Sequence, residues 1–340
     1  MQKTVLSFYC DDTNPYNTTP EAFKTFLDFV SAESIAGESS VILGYGCAEH
    51  GLLSCPTTDL QRAYILQLQR AYACGVDSHF ELMTHAGLYD FEANRLPAEA
   101  IHEGLWLYEP AISVDEYEAY FQHILDEGEK IGVRFTGLTW PGCGCTACNK
   151  RYRQLWSESF KRNLSEIKSD SLNMHRLKST LQGFRTGPEP NPNVWKALLN
   201  LAKCGKFREH TIPCFFGNER KQCAARLMAS EGNFGVYDLP PVAADRLGLW
   251  LNDPHQVNAD YYITKDGRSG RIVDLVRAEA PYCLLYAHWQ GLNPSNGVGW
   301  DAFTRVISRV QRSLGDQIIW MRPSQFTNQM LHSSGKTKQT

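Results

Sequence analysis

Two adjacent carboxylates, Asp11 and Asp12, come directly after a short apolar run near the start of the chain. The run, Val5-Leu6-Ser7-Phe8-Tyr9-Cys10, is rich in strand-forming residues, and the turn-forming Thr13-Asn14-Pro15 follows the carboxylates. This pattern predicts a buried strand that ends in charge at the carboxyl edge of an α/β sheet, where such folds hold their chemistry. Two interpretations stay open at this point: a catalytic pair, or aspartates that stabilise the turn.

Other side chains suited to chemistry also stand at predicted strand ends. They are Glu49, His50, His85, Asp238 and His288. Carboxylates and imidazoles bind divalent cations and act as general acids and bases. A single histidine at a strand end is more often a packing residue held by hydrogen bonds. A catalytic site therefore requires several of these strand ends to meet in one place.

Short apolar runs alternate with longer amphipathic runs along the chain. We predict strands at 5–12, 41–47, 78–85, 133–140, 211–216, 235–239, 282–289 and 317–321. We predict helices at 20–31, 58–74, 114–131 and 300–314, the first of them capped by Thr19. The alternation predicts an α/β protein with parallel strands and helices outside: a (β/α) barrel, distorted or seven-stranded, in one domain over residues 1–332. The polar tail, residues 333–340, is expected to be disordered.

The composition is typical of an ordinary globular protein, since 43% of the 340 residues are hydrophobic and 21% are charged. The net charge of -3 gives no general attraction to nucleic acid or anionic membranes, so neither is expected as a partner. No run reaches the roughly eighteen apolar residues of a membrane span, and the first predicted strand starts too early for a signal peptide. The odd number of cysteines, 11, argues against a full disulfide framework. We therefore predict a cytoplasmic location.

Four stretches, in chain order, carry a family resemblance. They are Phe8-Tyr9-Cys10-Asp11-Asp12, Phe80-Glu81-Leu82-Met83-Thr84-His85, Thr139-Trp140-Pro141-Gly142 and Leu285-Tyr286-Ala287-His288. A strand that ends in Asp-Asp, a strand that ends in histidine, a Pro-Gly turn and a late Leu-x-x-His together resemble the polysaccharide deacetylase, or NodB-homology, superfamily. The resemblance covers nearly the whole chain. It implies a barrel-like fold and a metal-dependent enzyme that hydrolyses N- or O-acetyl groups on a poly- or oligosaccharide.

The resemblance also implies a role for each matching residue. Asp11 becomes the general base and His288 the general acid, while Asp12 and His85 become ligands of a divalent metal, zinc in the first instance. The carboxylate that binds the metal stays an anion, whereas its neighbour remains free to titrate. Adjacent aspartates can therefore have different roles.

The second histidine that the family places four residues after the first is absent, because that position holds Tyr89. We expect His102, from the long aromatic segment after the strand, to be the third ligand, with Asp90 as the alternative. His79 is too far from His85 on a regular strand, at about 20 Å. The difference leaves two alternatives open: a metal-free enzyme and a non-catalytic relative that only binds sugar.

Cys143, Cys145 and Cys148 follow the Pro-Gly turn with a spacing suited to chelation. A structural Zn²⁺ ion or an iron–sulfur cluster at this turn would need a fourth ligand. The candidates for that ligand are Cys204, Cys214 and Cys223. The alternative is a set of buried or free thiols.

Aromatic residues near the predicted strand ends indicate the substrate. Those assigned to substrate binding are Tyr89, Trp106, Trp140 and Trp289. Flat apolar rings suit the stacking of sugar rings, so the expected partner is a carbohydrate. The sequence therefore predicts a carbohydrate deacetylase. Two alternatives remain: a glycoside hydrolase that pairs Asp11 or Asp12 with Glu49 or Asp238, and a non-catalytic sugar-binding module.

Overall fold

The computed structural model describes residues 3–15, 18–44, 55–56, 58–81, 91, 107, 111–139, 190–215, 224–243, 245–247 and 254–336. Within these residues, nine strands form one sheet and helices pack against it. The strands are β1 Thr4–Thr13, β2 Gly37–Val41, β3 Val76–Glu81, β4 Gly137–Thr139, β5 Thr211–Phe215, β6 Arg226–Glu231, β7 Phe234–Asp238, β8 Tyr282–His288 and β9 Ile318–Trp320. The α-helices are α1 Pro20–Ala32, α2 Asp59–Ala71, α3 Val114–Lys130, α4 Pro192–Lys203, α5 Ala259–Tyr262, α6 Arg271–Arg277, α7 Trp289–Leu292, α8 Val298–Leu314 and α9 Pro323–Lys336.

The sheet is mostly parallel. Its strand order is β6-β7-β5-β4-β3-β2-β1-β8, and β9 pairs with the amino-terminal part of β1. Among the described strands, only β6 and β7 run antiparallel, as a hairpin that turns at Gly232 with a φ of 59°. Parallel strands that alternate with helices are the arrangement expected from the sequence pattern. The predicted α/β class is therefore confirmed.

The sheet is strongly curved. Tyr9 of β1 stacks on Phe215 of β5 with ring centroids 4.7 Å apart, although β1 and β5 are separated by three other strands. In a flat sheet the two strands would lie about 19 Å apart. Among the described residues, strand pairing does not close the sheet into a barrel. The segment after β7 meets β8 there through an isolated parallel bridge, between Ala243 and Leu285, and not through a continuous ladder. The sheet thus encloses an interior without a complete barrel ladder.

Residues of β1 alternate between the outer helices and the enclosed interior. Phe8 faces outwards, where its ring makes edge contacts with Phe26 of α1 and Phe303 of α8. Tyr9 faces inwards, where it stacks on rings from β5 and β8. Because side chains two residues apart on a strand share a face, Asp11 lies on the inner side with Tyr9.

The second strand lies earlier in the chain than the sequence predicts. The sequence pattern places it at 41–47, which is wrong, since β2 is Gly37–Val41. The polar residues 38–40 are fully buried in this strand. Strands are recognised in a sequence by their apolar residues, so a polar strand that faces an enclosed interior is not detected. Gly37 is required by close packing, because a Cβ there would lie 2.4 Å from the ring of Phe8.

The four helices predicted from the sequence are present as α1, α2, α3 and α8. Thr19 caps α1 by accepting a hydrogen bond from the N–H of Ala22, and Thr58 forms a capping box with Gln61 at the start of α2. Among the described helices, none combines the length with the apolar composition that crossing a membrane requires.

The last helix, α9, packs across the amino ends of the strands. The Thr327 hydroxyl donates to Oγ1 of Thr211 in β5 at 2.8 Å, and the N–H of Ser324 donates to Oδ2 of Asp77 in β3 at 2.9 Å. These contacts hold the helix, which continues to Lys336. The tail that the sequence predicts to be disordered is therefore helical at its start. The carboxyl ends of the strands lie at the end of the sheet opposite to α9.

Candidate active site

Three carboxylates meet at the carboxyl ends of β1 and β3. Asp11 and Asp12 lie near the end of β1, and Glu81 is the last residue of β3. Asp11 and Glu81 are buried, whereas Asp12 is partly exposed. One carboxylate oxygen from each of the three residues lies within 4.8 Å of the other two. This spacing is compatible with three ligands of a single cation.

A bulge in β1 brings the two aspartates to the same side. The register between β1 and β2 shifts between Cys10 and Thr13, and Asp12 has a φ of 68°. This left-handed conformation is uncommon for residues other than glycine, although aspartate tolerates it better than most. Neighbours on a regular strand point to opposite faces. The irregular backbone therefore explains how Asp11 and Asp12 both reach the cluster.

Ser40 of β2 lies between two of the carboxylates. Its Oγ is 3.1 Å from Oδ1 of Asp11 and 3.0 Å from Oε2 of Glu81, and it accepts the N–H of Asp12 at 2.9 Å. A hydroxyl group carries one proton, so it fully donates to one carboxylate at a time. The contact with the other carboxyl group is favourable when that group carries a proton or binds a cation.

His288, at the end of β8, is held by Asp245. Nδ1 of His288 lies 2.8 Å from Oδ2 of Asp245, and the same oxygen accepts the backbone N–H of His288 at 3.2 Å. The other carboxylate oxygen accepts the N–H of Leu247 at 3.0 Å. Because the buried Asp245 carboxylate can only accept, Nδ1 of the imidazole carries a proton.

Tyr286 connects His288 to Asp11. Its hydroxyl group lies 3.0 Å from Nε2 of His288 and 3.2 Å from Oδ2 of Asp11, to which it donates. Asp11 and His288 are register partners on the adjacent strands β1 and β8. A continuous chain of hydrogen bonds thus runs from Asp245 through His288 and Tyr286 to Asp11. This Asp245–Asp11 chain ends in the carboxylate cluster.

The acidic surroundings determine the charge of the imidazole. Burial lowers the pKa of His288, but the hydrogen bond with Asp245 and the negative charges of Asp11 and Asp12 outweigh burial and raise this pKa to about 9. Burial, together with the charges of Asp11 and Asp12, raises the pKa of Tyr286 well above its usual range. At neutral pH the Asp245–Asp11 chain of hydrogen bonds therefore contains an imidazolium, His288, and a neutral phenol, Tyr286.

Glu38 of β2 and His79 of β3 form a second polar pair. Each lies two residues before a residue of the site, Ser40 in β2 and Glu81 in β3. Both side chains are fully buried, with Nδ1 of His79 3.5 Å from Oε2 of Glu38. Burial lowers the pKa of His79 to about 3, and burial together with the charge of Asp11 raises the pKa of Glu38 well above its usual range. The imidazole of His79 is therefore uncharged at neutral pH. His79 stacks on Phe215 and is not part of the carboxylate cluster.

The structure brings together three residues that the sequence singles out. Asp11, Asp12 and His288 lie at the same end of the sheet, and Tyr286 links His288 to Asp11. Their chemical roles remain predictions. Asp238, the alternative partner for a glycosidase, ends β7 as a buried residue and is not part of the carboxylate cluster.

Trp289 does not line this site. Its side chain is fully buried, and its ring makes edge contacts with Phe23 and Phe26 of α1. The assignment of Trp289 to substrate binding is therefore wrong. The physical reason is that β8 ends at His288, and α7 begins at the next residue and directs the indole into the core between sheet and helix.

The remaining predicted site residues lie outside the described part of the chain. They are the metal-ligand candidates His85, Asp90 and His102, the aromatic residues Tyr89, Trp106 and Trp140, the cysteines Cys143, Cys145 and Cys148, and the strand-end pair Glu49 and His50. Of the cysteines proposed to complete the cysteine turn, Cys214 is buried in β5 and Cys204 is exposed.

The sequence pattern indicates no role for Glu81, Tyr286 or Asp245. Glu81 and Tyr286 lie inside the stretches that resemble the family. Glu81 becomes a candidate once β3 is known to end there, because polar residues at the carboxyl ends of strands are the candidates for a site. Asp245 lies in an irregular segment, 43 residues before its partner His288. No local pattern marks such a residue.

Comparisons with known proteins provide no family. No family model matches the chain, and a search of curated proteins finds no significant match. The function must therefore be inferred from the geometry and chemistry of the site.

The three carboxylates fit a divalent cation. Carboxylate oxygens this close repel one another unless protons or a cation neutralise them. Oxygen ligands suit hard cations such as Mg²⁺ and Mn²⁺, whereas Zn²⁺ sites in proteins usually include imidazole or thiolate ligands. The zinc expected from the sequence would thus require a histidine such as His85 in addition to Asp12 and Glu81.

Proposed function

We propose that this protein is a metal-dependent hydrolase that removes N- or O-acetyl groups from a carbohydrate. The observation that carries the proposal is the Asp245–Asp11 chain, which connects an imidazolium to a cluster of three carboxylates. A hydrolase of this kind needs a cation site, a base and an acid next to one another. The carbohydrate substrate is supported by the family-like stretches of the sequence.

In this proposal Asp12 and Glu81 are metal ligands and Asp11 is the base. Both oxygens of Asp11 face hydroxyl groups, Ser40 at Oδ1 and Tyr286 at Oδ2, so hydrogen bonds already hold this carboxylate in place. Asp12 is the partly exposed member of the cluster. A divalent cation bound here would polarise the substrate carbonyl and acidify water.

The side chains of the protein then move the protons. Asp11 takes a proton from the attacking water. His288 is the source of the proton that the leaving nitrogen or oxygen needs, and its raised pKa keeps it charged at neutral pH. Asp245 orients the imidazole and stabilises its positive charge.

We propose that the sheet closes as a (β/α) barrel, which the isolated bridge between Ala243 and Leu285 supports. We also propose a cytoplasmic location, which is supported by the buried free thiols of Cys10 and Cys214, packed in strands as small apolar side chains.

The test is elemental analysis of the purified protein, followed by deacetylation assays on acetylated oligosaccharides with and without chelator. Asp12→Ala and Glu81→Gln should both lose the metal and the activity. Asp238→Asn is the matched control, because it changes another buried strand-end carboxylate and should retain both. Metal that stays bound in both ligand variants would refute the site and direct attention to Cys143, Cys145 and Cys148.

A glycoside hydrolase is the second candidate, and one distance favours it. A carboxylate oxygen of Asp11 lies within 4.8 Å of one of Glu81, and retaining glycosidases place their two carboxyl groups roughly 5 Å apart. This candidate predicts release of reducing sugar that survives chelation. The deacetylase predicts release of acetate that chelation abolishes.

A further inference from the structure

Both ring nitrogens of His288 already face partners within the described residues. Nδ1 lies 2.8 Å from Asp245, and Nε2 lies 3.0 Å from the hydroxyl group of Tyr286. A general acid must place its own N–H or O–H within hydrogen-bond reach of the leaving atom. Both N–H groups of the imidazolium are thus directed at partners within the protein. A proton that leaves the imidazole therefore meets Tyr286 first.

We propose that the hydroxyl group of Tyr286 is the catalytic proton donor to the leaving group, and that His288 resupplies it; this inference rests on the proposed hydrolysis. Water bonds to the acyl carbon and gives one proton to Asp11. The bond from that carbon to the leaving nitrogen or oxygen breaks, and its electron pair stays on the leaving atom. That atom takes the Tyr286 proton, and the Tyr286 oxygen takes the Nε2 proton. The products are free acid and deacetylated sugar, with Asp11 protonated and His288 neutral until solvent resets them.

Tyr286 lies between the proposed base and the proposed acid. In the resting arrangement its hydroxyl group donates to Oδ2 of Asp11 at 3.2 Å. The hydroxyl hydrogen can turn about the C–O bond, whereas the bond between Nδ1 and Asp245 holds the ring of His288 in place. The Tyr286 hydroxyl group can therefore turn its proton towards a leaving atom.

Packing fixes the ring of Tyr286 independently of its hydroxyl group. The ring stacks on Tyr9 with centroids 4.9 Å apart, and Tyr9 stacks in turn on Phe215. Tyr286→Phe therefore removes one oxygen atom and leaves the stack in place. Tyr9→Phe is the matched control, since it removes a hydroxyl group from the adjacent ring while leaving the contacts of Tyr286 with Asp11 and His288 in place.

The test compares two substrates with the metal-loaded protein. An N-acetylated oligosaccharide has an amine leaving group that must be protonated, whereas 4-nitrophenyl acetate leaves as a stable phenolate. Tyr286→Phe should reduce kcat on the oligosaccharide by about 10²–10³-fold and leave kcat on the aryl ester close to that of the unchanged protein. Tyr9→Phe should leave both unchanged. The double variant with His288→Gln should be no slower on the oligosaccharide than the slower single variant, because both residues serve one relay.

Equal losses on the two substrates, or none on the oligosaccharide, would overturn the relay while leaving the proposed hydrolysis intact. An unchanged protein that hydrolyses neither substrate with any divalent metal would instead overturn the proposed function. Should Tyr286→Phe fail to fold, nitrogen-15 NMR of the unchanged protein provides a second measurement. The relay requires a slowly exchanging Nε2 proton on His288, and its absence would refute the relay.

Discussion

Asp245 and His288 face each other across 2.8 Å at the end of β8, with the carboxylate buried and 14% of the imidazole side chain exposed. Burial alone would lower the pKa of His288, but the pairing and the nearby aspartates raise it from 6.5 to about 9. A raised pKa in the folded state means that the proton stabilises the fold. This contribution is fully present below a pH of about 6.5 and is lost as the pH rises through about 9.

The pairing predicts the alkaline limit of activity. If protonated His288 is the proton source, kcat of the unchanged protein should fall as the pH rises through about 9. Asp245→Asn removes the strongest partner of the imidazolium, so the fall should move to lower pH, and kcat at pH 8 should drop by on the order of 10–100-fold. Rate profiles against pH check this. Asp260→Asn, at an exposed ion pair with Arg309, is the control and should keep the original profile.

Ser40 organises the carboxylates, and its loss should weaken metal binding. Ser40→Ala removes the hydroxyl group between Asp11 and Glu81 and the acceptor for the N–H of Asp12. Partners that orient metal ligands typically contribute about 10–100-fold to affinity. Calorimetric titration with Mg²⁺, Mn²⁺ and Zn²⁺ should therefore show a loss of that size. Ser39→Ala is the control on the same strand, and equal losses in both variants would contradict the role of Ser40.

The sequence allowed the fold class and part of the site to be predicted, for identifiable reasons. β1 is apolar until Asp11, so its hydropathy pattern marks both the strand and its end. β2 is polar and buried, because it faces an enclosed interior, and the pattern that depends on apolar strands misplaces it. Asp245 is brought to His288 only by the fold, and Tyr286 occupies an unspecified position of the Leu-x-x-His motif. Contacts between distant polar residues leave no periodic signal in the sequence.

Arg322 compensates a buried carboxylate at the amino ends of the strands. Asp77 is fully buried, with Nε of Arg322 3.8 Å from its Oδ1, and burial raises the pKa of Asp77 to about 6. Ionised Asp77 therefore costs stability as the pH rises through 6, and Arg322 reduces that cost. Arg322→Leu should lower the free energy of unfolding at pH 7.5 by on the order of 3 kcal/mol. The loss should shrink towards pH 4, where Asp77 is protonated.

Urea unfolding at the two pH values measures this difference. The control is Arg312→Leu, in which the lost guanidinium donates to the carbonyl oxygen of Lys265 in an exposed contact. Its effect should be small and independent of pH. A loss in Arg322→Leu that is equally large at both pH values would mean that Arg322 acts through packing on the ring of Tyr72, 3.7 Å away, rather than through its charge.

Trp289 is a core residue, and this predicts how its variants behave. Trp289→Ala should lower the free energy of unfolding by about 3–5 kcal/mol, because it leaves a cavity beside Phe23 and Phe26. Trp289→Phe keeps an aromatic ring there and should cost less. Urea unfolding and sugar-binding titrations, made on the same samples, separate stability from recognition. A substrate-stacking tryptophan would behave in the opposite way, with sugar affinity lost and stability kept. That result would require the indole to leave a fully buried site.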